Sequence, residues 1–116
     1  MKNEIKNGVL VIYLEGNLLG EHTNGPVMDL IKTNIEAGHK KVVFNLGEMK
    51  FINSTGLGML LTAISKTRNA GGDMVICNVP EQMKKLLQMT KLENIFTSLP
   101  DEAAAIAHLA GKGNAA

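Results

Sequence analysis

The stretch 51–61 reads Phe51-Ile52-Asn53-Ser54-Thr55-Gly56-Leu57-Gly58-Met59-Leu60-Leu61 and marks a passage from strand to helix. It follows the apolar run from Val42 to Leu46, which predicts a buried strand. It leads into apolar residues at helical spacing, from Leu57 to Ile64, which predict a helix. Its polar residues therefore lie at a helix start, where the first backbone N–H groups lack partners and the dipole favours negative charge.

Two hydroxyl residues, Ser54 and Thr55, suit such a position because their oxygens accept hydrogen bonds from the unpaired N–H groups. The same geometry favours the binding of a phosphate group. From the residues alone, an ordinary helix cap and a site for a negatively charged group both remain open.

Length and composition predict one globular domain without a nucleic-acid partner. The chain has 116 residues, enough for a substantial core, and its 45% hydrophobic and 20% charged residues are typical of globular proteins. The net charge of +1 shows no basic excess. Three Phe, one Tyr and no Trp leave no aromatic platform on which bases could stack.

The sequence predicts neither a membrane span nor a metal site. No apolar run approaches the roughly 20 residues that cross a bilayer, and residues 1–6 lack the apolar core of a signal peptide. Cys77 is the single cysteine, and the three histidines fall in separate predicted elements. We therefore expect a cytoplasmic protein without membrane insertion, disulfide, metal or other cofactor.

The first half of the chain predicts a hairpin followed by a helix. Asn7-Gly8 supplies the positive φ of a tight turn, and the run Val9–Leu14 is apolar enough for a central strand. Residues 15–22 are predicted to be a loop. A helix begins near Asn24-Gly25-Pro26 and ends at Gly38.

The second half alternates between strands and helices. Residues 47–50 are predicted to link the strand 42–46 to the stretch 51–61. In chain order there follow a helix ending at Gly71-Gly72, a strand from Met74 to Cys77, a helix from Pro80-Glu81, a short strand at Ile95-Phe96, and a helix from Pro100 to about Leu109. We expect an α/β domain over residues 1–110, with a mixed, mostly parallel sheet of about four to five strands and about four helices. Residues 111–116 are expected to form a flexible tail.

The residues Asn53-Ser54-Thr55-Gly56-Leu57-Gly58, preceded by Phe51-Ile52, resemble a known signature. It is the Asp-Ser-Ser/Thr-Gly-Leu-Gly motif of bacterial anti-sigma-factor antagonists, the stand-alone STAS domains. The predicted element order is similar to the STAS fold, so the resemblance covers nearly the whole chain. In that family the Ser after the Asp is phosphorylated, which implies Ser54 as the phosphorylation site here. Asn53, Thr55 and Gly56 would then support the switch site.

The resemblance implies a function in binding rather than catalysis. In the family, the unphosphorylated antagonist binds an anti-sigma factor and frees the sigma factor. The anti-sigma factor is also an ATP-dependent serine protein kinase, and its phosphorylation of the antagonist ends the interaction. A phosphoserine phosphatase is a further candidate partner. The residues add no catalytic constellation, since nucleophile-elbow, P-loop and dinucleotide-binding patterns are all absent from the sequence.

Partner contacts are expected on the helix that follows Ser54. Helical spacing assigns Leu57, Leu60, Leu61 and Ile64 inward, and Thr55, Met59, Thr62 and Lys66 outward. The candidate partner-binding residues are Glu21, Gly58, Met59 and Thr62.

A second function stays open because this chain departs from the family pattern. Asn53 stands in place of the Asp of the motif, and Gly16-Asn17-Leu18-Leu19 stands where the family has Gly-Glu-Ile/Leu-Asp. An asparagine caps a helix but carries no charge. The alternative is a STAS protein without phosphorylation, acting as a scaffold or interaction module in a membrane-associated or signalling complex.

Overall fold

The structure, a computed structural model, describes residues 2–18 and 24–111. Its elements in chain order are β1 (Lys2–Lys6), β2 (Val9–Tyr13), β3 (Gly16–Leu18), α1 (Asn24–Glu36), β4 (Lys41–Asn45), β5 (Met49–Ile52), α2 (Ser54–Asn69), β6 (Asp73–Cys77), α3 (Glu81–Met89), β7 (Thr97–Leu99) and α4 (Glu102–Gly111). Glu21 and the predicted tail beyond Gly111 lie outside the described residues.

The main sheet has five strands in the order β1-β2-β4-β6-β7. β1 and β2 are antiparallel and form the predicted hairpin, whose turn residues Asn7 and Gly8 have φ of 52° and 77°. The remaining neighbours pair in parallel. The prediction of an α/β fold with a mixed, mostly parallel sheet and four helices is therefore confirmed.

Both faces of this sheet are covered, which explains why its central strands are apolar at nearly every position. Alternate residues of β2 and β4, such as Leu10 and Phe44, belong to one core together with buried residues of α1, α2 and α3. The other set, such as Val11 and Val43, packs with Ala105 and Leu109 of α4. No helix among the described residues is both long and apolar enough to span a membrane.

Cys77 lies on the α4 face of the sheet and is fully buried. Burial raises the pKa of its thiol to about 12, and the nearby carboxylates of Glu102 and Asp101 act in the same direction. At neutral pH the group is therefore a protonated, inert core thiol.

A second, two-stranded sheet pairs β3 with β5 in parallel and was not predicted. The predictions of a loop over residues 15–22 and a plain link over 47–50 are wrong for these segments. Both strands are short and lack the β-branched alternation that signals a strand, and the register shifts between Gly16 and Asn17.

The last strand lies two residues later than predicted. It comprises Thr97–Leu99, whereas Ile95 and Phe96 lie in the turn before it. Phe96 is buried in the main core without being part of a strand. The sequence predicts a strand at these two residues because burial alone produces the same short apolar signal as a strand.

Candidate functional site

The start of α2 is held by the small β3–β5 sheet. β5 ends at Ile52 and α2 begins at Ser54, so one residue joins them. The backbone N–H of that residue, Asn53, donates to the carbonyl of Leu18 at 3.2 Å, which continues the pairing with β3. The Asn53 carbonyl accepts from the N–H of Leu57 at 2.9 Å and so begins the helical pattern.

The helix cap is Asn53. Its backbone is extended, with φ of −105° and ψ of −179°, and its side-chain Oδ1 accepts from the N–H of Gly56 at 2.8 Å. The prediction that Ser54 and Thr55 cap the helix is therefore wrong, because the cap is the residue just before them, Asn53. Both hydroxyl residues are exposed in the first turn, and Ser54 is the first helical residue.

Gly56 and Gly58 have opposite environments although they are two residues apart. A Cβ on Gly56 would lie 2.3 Å from the carbonyl oxygen of Leu18 and 3.1 Å from Cγ1 of Ile52. A Cβ on Gly58 would meet no atom of residues 2–18 and 24–111 within 4 Å. Gly56 thus allows the helix to approach the β3 backbone, whereas Gly58 leaves a patch without a side chain on the outer face.

Met59 is buried, with 3% of its surface exposed, and belongs to the main core. Its predicted outward position and its role in partner contact are therefore corrected: a partner cannot reach this side chain in the folded domain. α2 packs against the main sheet, against α1 and against the β3–β5 sheet, so it buries a wider stripe than one apolar row. The stripe also contains Gly56, Ala63 and Thr67, which do not stand out as hydrophobic in the sequence.

The outward face of α2 contains Ser54, Gly58 and Thr62, each four residues apart and so on one side of the helix. Ser54 and Thr62 are exposed and Gly58 is half-buried, and the Thr62 hydroxyl donates to the Gly58 carbonyl at 3.0 Å. We call Ser54, Thr55, Gly58 and Thr62 the switch surface. Leu57, Leu60 and Ile64 are buried as predicted, and Leu61 packs partly against the core.

Phe51 is a further candidate residue, which the sequence marks only as the start of the stretch 51–61. It lies on β5, three residues before Ser54, and half of its surface is exposed. β5 turns Met49 and Ile52 inward and leaves Lys50 and Phe51 outward. An exposed aromatic ring beside a polar surface is typical of protein-binding sites. In the sequence, the signal for this site is a large aromatic residue next to Lys50 and close to the polar residues 53–55.

The electrostatics at this end of α2 suit a negatively charged group. The first turn contains no acidic residue. The basic residues Lys66 and Arg68 lie in the last turn, at the opposite end of the helix. An anion on Ser54 would therefore lie at the positive end of the helix dipole, without a carboxylate in that turn. Within residues 2–18 and 24–111, no cluster of three or more His, Cys, Asp or Glu could hold a metal ion.

Comparison with known proteins places this arrangement in a family. The family model described as STAS domain matches residues 1–105. The chain belongs to the STAS domain family. This STAS domain is 28% identical over 111 residues to the anti-sigma F factor antagonist of Paenibacillus polymyxa, and the alignment covers 91% of each chain.

The fold of this STAS domain is also similar to solved structures of SpoIIAA. The anti-sigma factor antagonist SpoIIAA in its unphosphorylated form matches with a TM-score of 0.75 and 22% identity, over 95% of this chain and 97% of that chain. The Bacillus cell fate determinant SpoIIAA in its phosphorylated form matches with a TM-score of 0.72 and 24% identity, over 92% and 96% of the two chains. At these identities the likeness establishes the fold.

The cap predicts that neighbouring substitutions will differ in their effect on stability. We expect Asn53→Ala to lower the free energy of unfolding by about 0.5–2 kcal/mol, because it removes the Oδ1 that accepts from Gly56. Ser54→Ala should change it by less than about 0.5 kcal/mol, since Ser54 is exposed. Urea melts of both variants measure this, and a larger loss for Ser54→Ala would mean that its hydroxyl is structural.

Proposed function

We propose that this STAS domain is an anti-sigma factor antagonist that is regulated by phosphorylation of Ser54. When unphosphorylated, it binds an anti-sigma factor that is also a serine protein kinase; when phosphorylated, it is released. The observation that carries the proposal is that two neighbouring residues at the start of α2 have different roles. Asn53 caps the helix, and Ser54 is exposed and not needed for the cap. The relative from Paenibacillus polymyxa, named an anti-sigma F factor antagonist, supports the same function.

The fold should tolerate a phosphoryl group at this position. Phosphorylation adds about −1.5 to −2 charge units at neutral pH, and a helix N-terminus is favourable for that charge. The cap between Asn53 and Gly56 does not involve the Ser54 hydroxyl and would remain. SpoIIAA, which has structures in an unphosphorylated and a phosphorylated form, resembles this chain in both forms, which supports a switch without refolding.

Binding should not tolerate the phosphoryl group. The patch without a side chain at Gly58 lets a partner approach the helix closely, and Ser54 lies one turn before it on the same face. A phosphoryl group would introduce bulk and charge into that contact, and an unpaired charge buried at an interface weakens binding by several kcal/mol. The switch therefore acts mainly on affinity.

Asn53 gives this site a specific property. It provides the capping oxygen without the negative charge that the motif's Asp would have next to the phosphoserine. A phosphoryl group on Ser54 is thus repelled less, and we expect a persistent phosphoserine that depends on a phosphatase for its removal.

The proposal is tested by capturing partners from the native host with the wild-type chain and adding ATP. We expect a captured serine kinase to phosphorylate Ser54, as read by mass spectrometry, and to dissociate from the product. Ser54→Ala should bind and stay unmodified, whereas the matched control Thr55→Ala should still be phosphorylated. A stable complex in which Ser54 never acquires phosphate would favour the unphosphorylated scaffold instead.

A further inference from the structure

The outer edge of β1 is an open sheet edge. β1 is the first strand of the five-stranded sheet, and its neighbour there is β2. Among the described residues, no strand pairs along its other side. An unpaired strand edge is a template for another strand, and 47% of the surface of Ile5 in this strand is exposed.

The side chains of β1 alternate between two faces. Glu4 pairs with Val11 and Lys6 with Val9, so these charged residues share the face covered by α4. There the Lys6 Nζ lies 3.1 Å from Glu4 Oε2 and 2.6 Å from Glu102 Oε2. Ile5 pairs with Leu10 and projects to the other face.

The backbone of Ile5 faces the open edge. In a hairpin with a two-residue turn, the residues that flank the turn form a hydrogen-bonded pair, here Lys6 and Val9. Hydrogen-bonded pairs alternate with non-bonded pairs along an antiparallel ladder. The N–H and C=O of Lys6 and Glu4 are thus directed to β2, and those of Ile5 and Asn3 to the outside.

We propose that a second copy of this chain pairs antiparallel along β1, with Ile5 opposite Ile5 on a two-fold axis. In this register Glu4 of each copy faces Lys6 of the other, so both cross-strand charge pairs are attractive. The two Ile5 side chains meet and shield each other from water, and their backbones exchange two hydrogen bonds. The two five-stranded sheets become one continuous sheet.

The other symmetric registers are less favourable. Centring the axis on Glu4 would place Glu4 opposite Glu4 and Lys2 opposite Lys6, and like charges directly opposite are destabilising. Centring it on Asn3 would leave Ile5 without its counterpart. An axis between two residues would place a residue whose N–H and C=O face the open edge opposite one whose N–H and C=O face β2. Such a pair cannot exchange hydrogen bonds, so the ladder would not form.

β7, at the far side of the sheet, is a poorer partner for β1. It has three residues, Thr97–Leu99. Pairing β1 with β7 of another copy would also be heterologous, and such contacts propagate unless the rotation closes a ring. Pairing of β1 with β1 of a second copy is symmetric, so the assembly is complete as a dimer. It leaves the switch surface free, because β5 lies in the other sheet and α2 is on a face, not at this edge.

Sedimentation equilibrium across a concentration series tests the dimer. We expect the wild-type mass to rise toward twice the 12.5 kDa of one chain, and Ile5→Lys to remain at one chain mass. Met89→Lys is the matched control: Met89 is 81% exposed on α3, and its variant should dimerise like wild type. A wild-type chain that stays monomeric throughout the series, or equal dimerisation of Ile5→Lys, would overturn the proposal.

The register is tested by cysteine substitution along β1. We expect Ile5→Cys to form a disulfide-linked dimer on mild oxidation, because the paired Cα atoms would be about 5.5 Å apart. Asn3→Cys and Glu4→Cys should stay unlinked, since neither residue then faces its own copy. The native Cys77 is fully buried and does not compete. Preferential linkage of Glu4→Cys or Asn3→Cys would overturn the register.

Discussion

Gly56→Ala is expected to destabilise the domain strongly, by about 2 kcal/mol or more in the free energy of unfolding. The added Cβ would lie 2.3 Å from the carbonyl oxygen of Leu18, a backbone atom that cannot move without displacing β3. Either the helix start withdraws or the β3–β5 sheet shifts. Both changes act on the segment that presents Ser54.

Gly58→Ala is the matched control and should have the opposite sign. Its Cβ would contact none of the described residues, so alanine gains about 0.5–1 kcal/mol from the better helix propensity. Urea melts of the two variants beside wild type measure the difference directly. Similar stability of the two variants would contradict the close approach between α2 and β3.

Ser54→Asp is expected to lower affinity for the anti-sigma partner by about 100-fold, or about 3 kcal/mol, while the domain stays folded. The carboxylate places charge on the switch surface, where the wild-type hydroxyl is neutral. At the first position of α2 the same charge is favourable for the helix dipole, so thermal stability should hold or rise slightly. A carboxylate has less charge and fewer oxygens than phosphate, so phosphorylation should weaken binding further.

The binding prediction needs two controls in the same calorimetric titration. Ser54→Ala removes the hydroxyl without adding charge and should bind nearly as wild type does. Ser98→Asp makes the same chemical change at an exposed position of β7, outside α2, and should also bind normally. If Ser54→Asp and Ser98→Asp bind as tightly as wild type, Ser54 is not part of the interface.

Local signals predicted the elements whose residues leave few conformational choices. Asn7-Gly8 permits the positive φ of a tight hairpin turn, and both residues adopt it. Gly38, with φ of 95°, ends α1 as predicted, and the next N–H, of His39, donates to the Asn34 carbonyl at 2.7 Å. The apolar runs of β2, β4 and β6 predicted buried parallel strands.

The β3–β5 sheet could not be predicted in the same way. Gly16–Leu18 and Met49–Ile52 are too short to show a periodicity, and each is a strand because the other lies beside it. Pairing between segments 30 residues apart is a property of the tertiary structure. The same holds for Met59, which is buried because α2 is enclosed on several sides.

By itself, the sequence determined the α/β class, the hairpin, most strand and helix positions, and the presence of Ser54 in the first turn of a helix. These follow from period, turn chemistry and the geometry of helix starts, which are local properties. Only the tertiary structure decided which side chain caps that helix, which glycine is confined and which side chains of α2 face outward. Asn53 and Gly56 acquire their roles from β3, and Met59 is buried because α2 is packed on several sides. Hydrogen bonding and close packing depend on neighbours that are distant in the chain.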